Sequence, residues 1–126
     1  MKRTLLMIDD DEQVVYAVSK FLKRKNWDFH SALTGAEGLK KASSLRPDVV
    51  LLDVQLPDIE GWEICRRLKS DAALSGVSVV MVSGVRLGPA DKAYGLEAGA
   101  DDSLGKPFNL TELMLRLDAI MRIKGK

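Results

Sequence analysis

Apolar and polar residues alternate along this chain in two rhythms. Short runs that are apolar at every position, Leu5-Leu6-Met7-Ile8, Val49-Val50-Leu51-Leu52 and Val79-Val80-Met81-Val82, are separated by stretches whose apolar residues recur every three or four positions. Unbroken apolar runs suit strands covered on both faces, as in parallel sheets. The pattern predicts strands at Thr4–Ile8, Trp27–Ala32, Asp48–Leu52, Val77–Val82 and Asp102–Gly105. Helical spacing lies between them. Val14, Val15, Val18, Phe21 and Leu22 form one stripe, with Lys20, Lys23, Arg24 and Lys25 around it. Thr34-Gly35-Ala36-Glu37 has the form of a capping box opening a second helix. Ile64, Cys65 and Leu68 mark a third. Pro89 suits the first turn of a fourth that carries Ala93 and Leu96 inward. Asn109, with Glu112 three residues on, caps a fifth whose stripe is Leu113, Met114, Leu117, Ile120 and Met121. Arg46-Pro47-Asp48 and Glu97-Ala98-Gly99-Ala100-Asp101 are the stop signals, and Gly61 follows an acidic loop.

Five strand-helix repeats predict an α/β fold, a doubly wound three-layer sandwich with right-handed crossovers. Ligands of such sheets sit beyond the carboxyl ends of the strands. At those ends the chain places Asp9-Asp10 after the first strand, Asp53 after the third, Ser83 after the fourth and Lys106-Pro107 after the fifth. Carboxylates, a hydroxyl and an ammonium on one edge suggest a divalent cation and a phosphoryl group.

Length and composition narrow this further. The 126 residues suit one domain with its own core. A net charge of +1 gives no global attraction to nucleic acid or an anionic membrane. The single cysteine, Cys65, excludes an internal disulfide and fits a reducing compartment. Leu5–Ile8 is too short for a signal peptide or membrane span. The expectation is a soluble cytoplasmic domain.

Each candidate also has a plainer reading. Asp9-Asp10-Asp11-Glu12 is the kind of acidic run that caps a helix and complements its dipole. Two of these acids could instead hold Mg²⁺, which usually takes one or two carboxylates and fills its octahedron with water and phosphate. Asp53 is either a structural acid ending a strand or, kept ionised by a cation, a nucleophile toward phosphorus. Ser83 is a turn former or a neutral donor to a phosphoryl oxygen. Lys106 is a surface lysine or a counter-ion for acids and phosphate, with Pro107 restricting its backbone and permitting a cis bond.

The ordered set Ile8-Asp9-Asp10-Asp11, Leu52-Asp53-Val54-Gln55-Leu56-Pro57, Gly61, Val82-Ser83-Gly84, Leu96-Glu97-Ala98-Gly99-Ala100-Asp101-Asp102 and Lys106-Pro107-Phe108 resembles the receiver, or phosphoacceptor, domain of bacterial two-component response regulators. The resemblance spans essentially the whole chain. It implies a flavodoxin-like (βα)5 sheet of order 2-1-3-4-5. It implies that Asp53 accepts a phosphoryl group from a histidine kinase or histidine phosphotransfer protein, and later loses it by hydrolysis. Asp9, Asp10, Asp53 and the Gln55 backbone carbonyl would hold Mg²⁺, with Mn²⁺ as a substitute. Ser83 would bond the acyl phosphate and Lys106 would neutralise it. The domain would then be a switch and not a turnover enzyme.

By the same resemblance, the face of the fourth helix, fifth strand and fifth helix would bind an effector or a second copy. The first helix, near Val14 and Val15, would meet the kinase. The domain itself would bind neither nucleic acid nor membrane. Residues 1–126 are either a complete regulator or the N-terminal part of a longer one.

The chain departs from the family pattern in three places. Ser103 stands where many relatives have an aromatic residue coupled to the hydroxyl, so that rearrangement does not carry over. The segment from Ser83 to Lys106, with Gly88-Pro89, is one residue longer than usual, and Gly105 precedes the lysine.

Three alternatives bear weighing. A haloacid-dehalogenase-type phosphohydrolase would need an acid where Gln55 stands, and room for a cap domain. A flavodoxin would need a Ser/Thr-rich phosphate loop after the first strand. A pseudo-receiver, a phosphorylation-independent interaction module, is opposed by the intact acidic set and kept open by Ser103. His30, Cys65, Trp27 and Trp62 read as packing or surface residues, and Lys20–Lys25 as a solvated helix face.

Overall fold

The computed structural model describes residues 2–84 and 98–125 of the chain. The strands are β1 (Thr4–Ile8), β2 (Asp28–Ala32), β3 (Val49–Asp53), β4 (Ser78–Ser83) and β5 (Asp102–Gly105). They form one parallel sheet of order β2-β1-β3-β4-β5. The helices are α1 (Glu12–Arg24), α2 (Gly35–Leu45), α3 (Gly61–Ser70) and the C-terminal α4 (Leu110–Ile123), with a 3-10 turn at Ala72–Leu74. The expected helix carrying Pro89, Ala93 and Leu96 lies outside the described residues.

The alternation of side chains along each strand sorts the core into two halves. Leu5, Met7, Val49, Leu51, Val80, Val82 and Leu104 pack with Val18 and Leu22 of α1 and with Leu113, Leu117, Ile120 and Met121 of α4. Leu6, Ile8, Val50, Leu52, Val79 and Met81 pack on the opposite face with Ala42 of α2 and with Ile64, Cys65 and Leu68 of α3. Each fully buried Leu, Ile or Val side chain contributes roughly 1.5–3 kcal/mol, so this two-sided burial holds the three layers together.

The helix ends follow the sequence, with one exchange. Asp11 caps α1 by accepting from the Gln13 and Val14 N–H groups, and Asn109 caps α4 through Glu112 N–H at 2.6 Å. Thr34 Oγ1 accepts from Glu37 N–H at 3.2 Å, as a capping box requires. The reciprocal bond is shifted by one residue, because the Glu37 carboxylate accepts from Leu33 N–H instead of Thr34 N–H. Arg46 ends α2 in the left-handed region at φ 47°, before Pro47 blocks continuation.

The strand starts also shift. β2 begins at Asp28, because Trp27 N–H closes the end of α1 on Leu22 O and its side chain is buried. β3 and β4 each start one residue later than the pattern predicts, and each includes the polar residue at its end, Asp53 and Ser83.

Packing fixes where β1 ends. A Cβ on Gly38 of α2 would run into Ile8, with Cδ1 in hard overlap, Cγ1 at 2.7 Å and Cγ2 at 2.9 Å. Helix α2 therefore lies on the last residue of β1, one position before Asp9. Gly38→Ala should lower stability by about 1 kcal/mol in urea unfolding, since overpacking by 1–3 kcal/mol outweighs the helix-propensity gain of up to about 1 kcal/mol. Adding Ile8→Ala should shrink that particular penalty in a double-mutant cycle; purely additive losses would contradict this packing account.

Candidate functional site

All five strands run the same way, so their carboxyl ends share one edge. Asp9 follows β1 and is held there by its own N–H, which donates to Ala32 O of β2 at 3.0 Å. Its side chain is 1% exposed. Asp53 is the last residue of β3, paired in register with Val82 of β4 and 7% exposed. Its successor, Val54, donates to Val82 O at 2.9 Å, which extends the pairing one step past the acid.

The sheet order makes β1 and β3 neighbours, and this brings Asp9 and Asp53 together with Asp10. Ligand oxygens from these three acids lie within 4.8 Å of one another. The acidic run thus divides its labour. Asp11 caps the helix and Glu12 opens its first turn, while Asp9 and Asp10 face the cluster. Asp9 also bridges the two tasks, since Oδ1 accepts from Asp11 N–H at 2.9 Å.

Lys106 supplies the counter-charge. Strand β5 delivers it through a hydrogen bond from its N–H to Ser83 O at 2.7 Å, and the Lys106-Pro107 bond is cis. Its ammonium lies 2.7 Å from Asp9 Oδ2 and 3.6 Å from Asp53 Oδ2. The contact with Asp9 is the shorter of the two, a charge-assisted pair with a buried oxygen. Ser83 ends β4, 4% exposed and in register with Gly105. Beside it, a Cβ at Gly84 would meet only Lys106 Cβ, at 3.9 Å, among the described residues. The five side chains expected at this edge are therefore all at it.

The electrostatics are unbalanced. Burial, then the Asp9 charge, raise the Asp53 carboxyl above its ordinary value, with Asp10 adding to this. The Gln55 N–H at 3.2 Å and the Lys106 charge act in the opposite sense without cancelling it. For Lys106, burial favours loss of the proton, but Asp9 above all, with Asp53 and Asp11, wins and raises its pKa. One ammonium stabilises two buried acids, and the cluster still holds excess negative charge.

The loop after Asp53 closes tightly. Gly61 N–H donates to Val54 O at 2.9 Å, and a Cβ on Gly61 would collide with Asp53 O and stand 2.8 Å from Val54 Cα. Only glycine allows that approach. Asp58, in the same loop, binds the start of α2 through the Gly35 and Ala36 N–H groups, which lower its pKa. Sequence reasoning assigned Asp58 no role, since no local pattern marks a hydrogen bond spanning 23 residues.

The remaining residues fall as expected. His30 lies mid-strand in β2, paired with Leu6 and so short of the carboxyl edge, with Nε2 3.1 Å from Asp28 Oδ2. Cys65 is buried with its thiol pushed up to about 11 by desolvation, an inert state. Lys20, Lys23, Arg24 and Lys25 are exposed. Val14 and Val15 are half-buried against the core, and Val14 also lines a groove with Gln13, Lys106, Pro107 and Phe108. Ser103 is exposed on β5, between Leu104 and an Asp102–Arg116–Glu112 chain of ion pairs at 2.7 and 3.3 Å. Among the described residues no helix is long and apolar enough to cross a membrane.

This edge geometry agrees with what the chain resembles among known proteins. A family model described as the response regulator receiver domain matches residues 5–118. The chain belongs to that family. It is 36% identical over 122 residues to the alkaline phosphatase synthesis transcriptional regulatory protein PhoP of Bacillus subtilis, covering 97% of this chain and 50% of that protein. It superimposes with a TM-score of 0.93 and 26% identity on a CheY-like receiver domain protein from Methanospirillum hungatei, covering 99% and 98% of the two chains. The chemotaxis response regulator CheY4 of Vibrio cholerae gives a TM-score of 0.89 at 28% identity, covering 95% and 99%. The sheet order is thus that of a CheY-like, flavodoxin-like fold. This receiver domain spans about half the length of the curated relatives it matches.

A raised Asp53 pKa has a definite thermodynamic sign. Between the unfolded carboxyl's 3.8 and the higher folded value, the native state binds more protons, so stability falls as pH rises through that window and levels off above it. In buffer free of divalent cations, the Asp53→Asn receiver domain should lack that fall and be the more stable protein at neutral pH. Urea unfolding of both proteins from pH 3.5 to 8 checks this. A wild type that gains stability relative to the variant as pH rises would contradict it.

Proposed function

We propose that this receiver domain is a phosphorylation-controlled signalling switch with Asp53 as the phosphoacceptor. The observation that carries the reading is the gathering of Asp9, Asp10 and Asp53 within 4.8 Å under a lysine counter-ion. An Asp53 carboxylate oxygen attacks the phosphorus of a phosphohistidine. The new O–P bond forms as the N–P bond breaks, and the departing electron pair returns to the imidazole nitrogen. Lys106 gives its ammonium to the transferred oxygens, and Ser83 donates its hydroxyl to them without adding charge.

The donor set fits a hard divalent cation, since the clustered ligands are all carboxylate oxygens and the Lys106 ammonium is one charge against three acids. Asp9, Asp10, Asp53 and the Gln55 backbone carbonyl would hold it. Mg²⁺, or Mn²⁺ in its place, would neutralise the carboxylates and draw charge from the phosphoryl oxygens when bound. The product on Asp53 is a mixed anhydride. Attack of water at its phosphorus restores the carboxylate, releases inorganic phosphate and slowly resets the switch. The domain promotes its own phosphorylation and dephosphorylation but turns over no outside substrate.

On this reading residues 1–126 form one receiver domain acting in the cytoplasm. Its phosphoryl source is a sensor histidine kinase or a histidine phosphotransfer protein. The groove that Val14 lines together with Lys106 supports the reading that α1 meets this partner. Output passes to an effector segment or to a second copy through the surface around β5 and the C-terminal helix. Matched relatives of twice the length that are transcriptional regulators favour the former. The domain itself binds neither nucleic acid nor membrane. The intact set of acids, hydroxyl and lysine counts against the pseudo-receiver alternative.

Incubation with Mg²⁺ and acetyl phosphate, followed by intact mass measurement, tests the acceptor chemistry. The wild type should gain one phosphoryl group, and both Asp53→Asn and an EDTA-treated sample should gain none. A gain that survives Asp53→Asn would overturn the assignment of Asp53. Failure of the wild type with both acetyl phosphate and a phosphohistidine donor would overturn the switch itself.

A further inference from the structure

Asp58 is a surface residue whose carboxylate is nevertheless fully committed. Oδ1 accepts from Gly35 N–H at 2.7 Å and from Ile59 N–H at 3.0 Å, and Oδ2 accepts from Ala36 N–H at 2.9 Å. Gly35 and Ala36 are the first two residues of α2, whose N–H groups have no partner within the helix. The local side-chain caps serve other donors. Thr34 takes the Glu37 N–H, and Glu37 takes the Leu33 N–H. Asp58 therefore satisfies the two donors that the local caps leave over, from another loop, 23 and 22 residues away.

The fit is close enough to dictate a second residue. A Cβ on Gly35 would stand 3.1 Å from Asp58 Oδ1, 3.2 Å from Ile59 Cβ and 2.6 Å from Ile64 Cδ1. The loop between β3 and α3 thus lies directly on the first turn of α2.

That loop is fastened at three points. Near its start, Gln55 N–H donates to Asp53 Oδ1. At its end, Gly61 N–H donates to Val54 O. Asp58 fastens the middle with two charge-assisted bonds at 2.7 and 2.9 Å, both shorter than the 3.2 Å bond from Gln55 N–H to Asp53. Gln55 sits at the first of these points, and its backbone is held by nothing else among the hydrogen bonds of the described loop.

We propose that Asp58 is a positioning residue for the cation site: its clamp on the N-terminus of α2 holds the loop that carries Gln55 beside Asp9, Asp10 and Asp53. This deepens the function proposed above and rests on it. The site then depends on α2, an element that contributes no ligand. Outer partners that orient ligands in this way commonly change metal affinity 10- to 100-fold when lost. Asp58 acts through a loop, so the low end applies.

The test compares three full-length variants. Asp58→Ala removes the clamp, Asp58→Asn keeps one acceptor oxygen of two, and Thr34→Ala removes only the local cap of the same helix. Mg²⁺ affinity is measured by isothermal titration calorimetry, amide exchange at Gly35, Ala36 and Gln55 by NMR, and stability by urea unfolding in EDTA. Asp58→Ala should weaken Mg²⁺ binding about 10-fold and speed exchange at all three amides. Asp58→Asn should recover part of both effects. Thr34→Ala should lose stability with Mg²⁺ affinity unchanged. If wild type binds Mg²⁺ and Asp58→Ala binds it equally well, the clamp is merely structural and the proposal fails alone. If wild type binds no Mg²⁺, the functional reading fails and takes the proposal with it.

Discussion

Two buried carboxylates and one lysine set the terms for this molecule. Asp9 and Asp53 are removed from water at the ends of adjacent strands, with Asp10 close by, and the Lys106 ammonium reaches both. Desolvating like charges is unfavourable, and an ion pair offsets that cost only in part. The raised pKa of Asp53 is the residue of that imbalance. A fold selected for stability alone would place apolar residues here. Retaining the acids makes sense when something positively charged arrives and something negatively charged is transferred.

The rest of the structure serves to hold that imbalance in place. A parallel sheet sends every strand's carboxyl end to one edge, and the order β2-β1-β3-β4-β5 sets Asp9 beside Asp53 and Ser83 beside Lys106. Apolar layers on both faces keep the strands from sliding, since a slip of one residue would turn each terminal acid to the wrong side. Three glycines fall at close approaches: Gly38 on Ile8, Gly61 on the Asp53 carbonyl, and Gly35 under Asp58. Each marks a place where a helix or loop comes down on the site's support. The position of Asp53 is therefore a property of the whole sandwich, and not of its own loop.

Much of this was legible in the chain, because its signals are local. Apolar runs ending in Asp9, Asp53 and Ser83 gave strands and site together, and Asn109 with Glu112 marked the C-terminal helix where it stands. What was not legible is what depends on distance in space. The run Asp9-Asp10-Asp11-Glu12 reads equally as a cap or as a cation site, and only the fold gives the cap to Asp11 and gathers Asp9 and Asp10 with Asp53. Trp27 reads as strand by its aromatic character, yet its backbone is needed to finish α1. Glu37 reaches one residue further back than a capping box expects. Asp58 sits in a run that reads as an acidic loop, and its partners at Gly35 and Ala36 belong to another helix.

If excess negative charge at this edge is the organising feature, a divalent cation must stabilise the folded domain by binding it and not the unfolded chain. The most direct measurement is the thermal midpoint as a function of Mg²⁺ concentration, for the wild type and for Asp9→Asn. The wild-type midpoint should climb steadily once Mg²⁺ exceeds its dissociation constant, while that of Asp9→Asn stays nearly flat over the same range. Equal responses in the two proteins, or none in the wild type, would contradict the account.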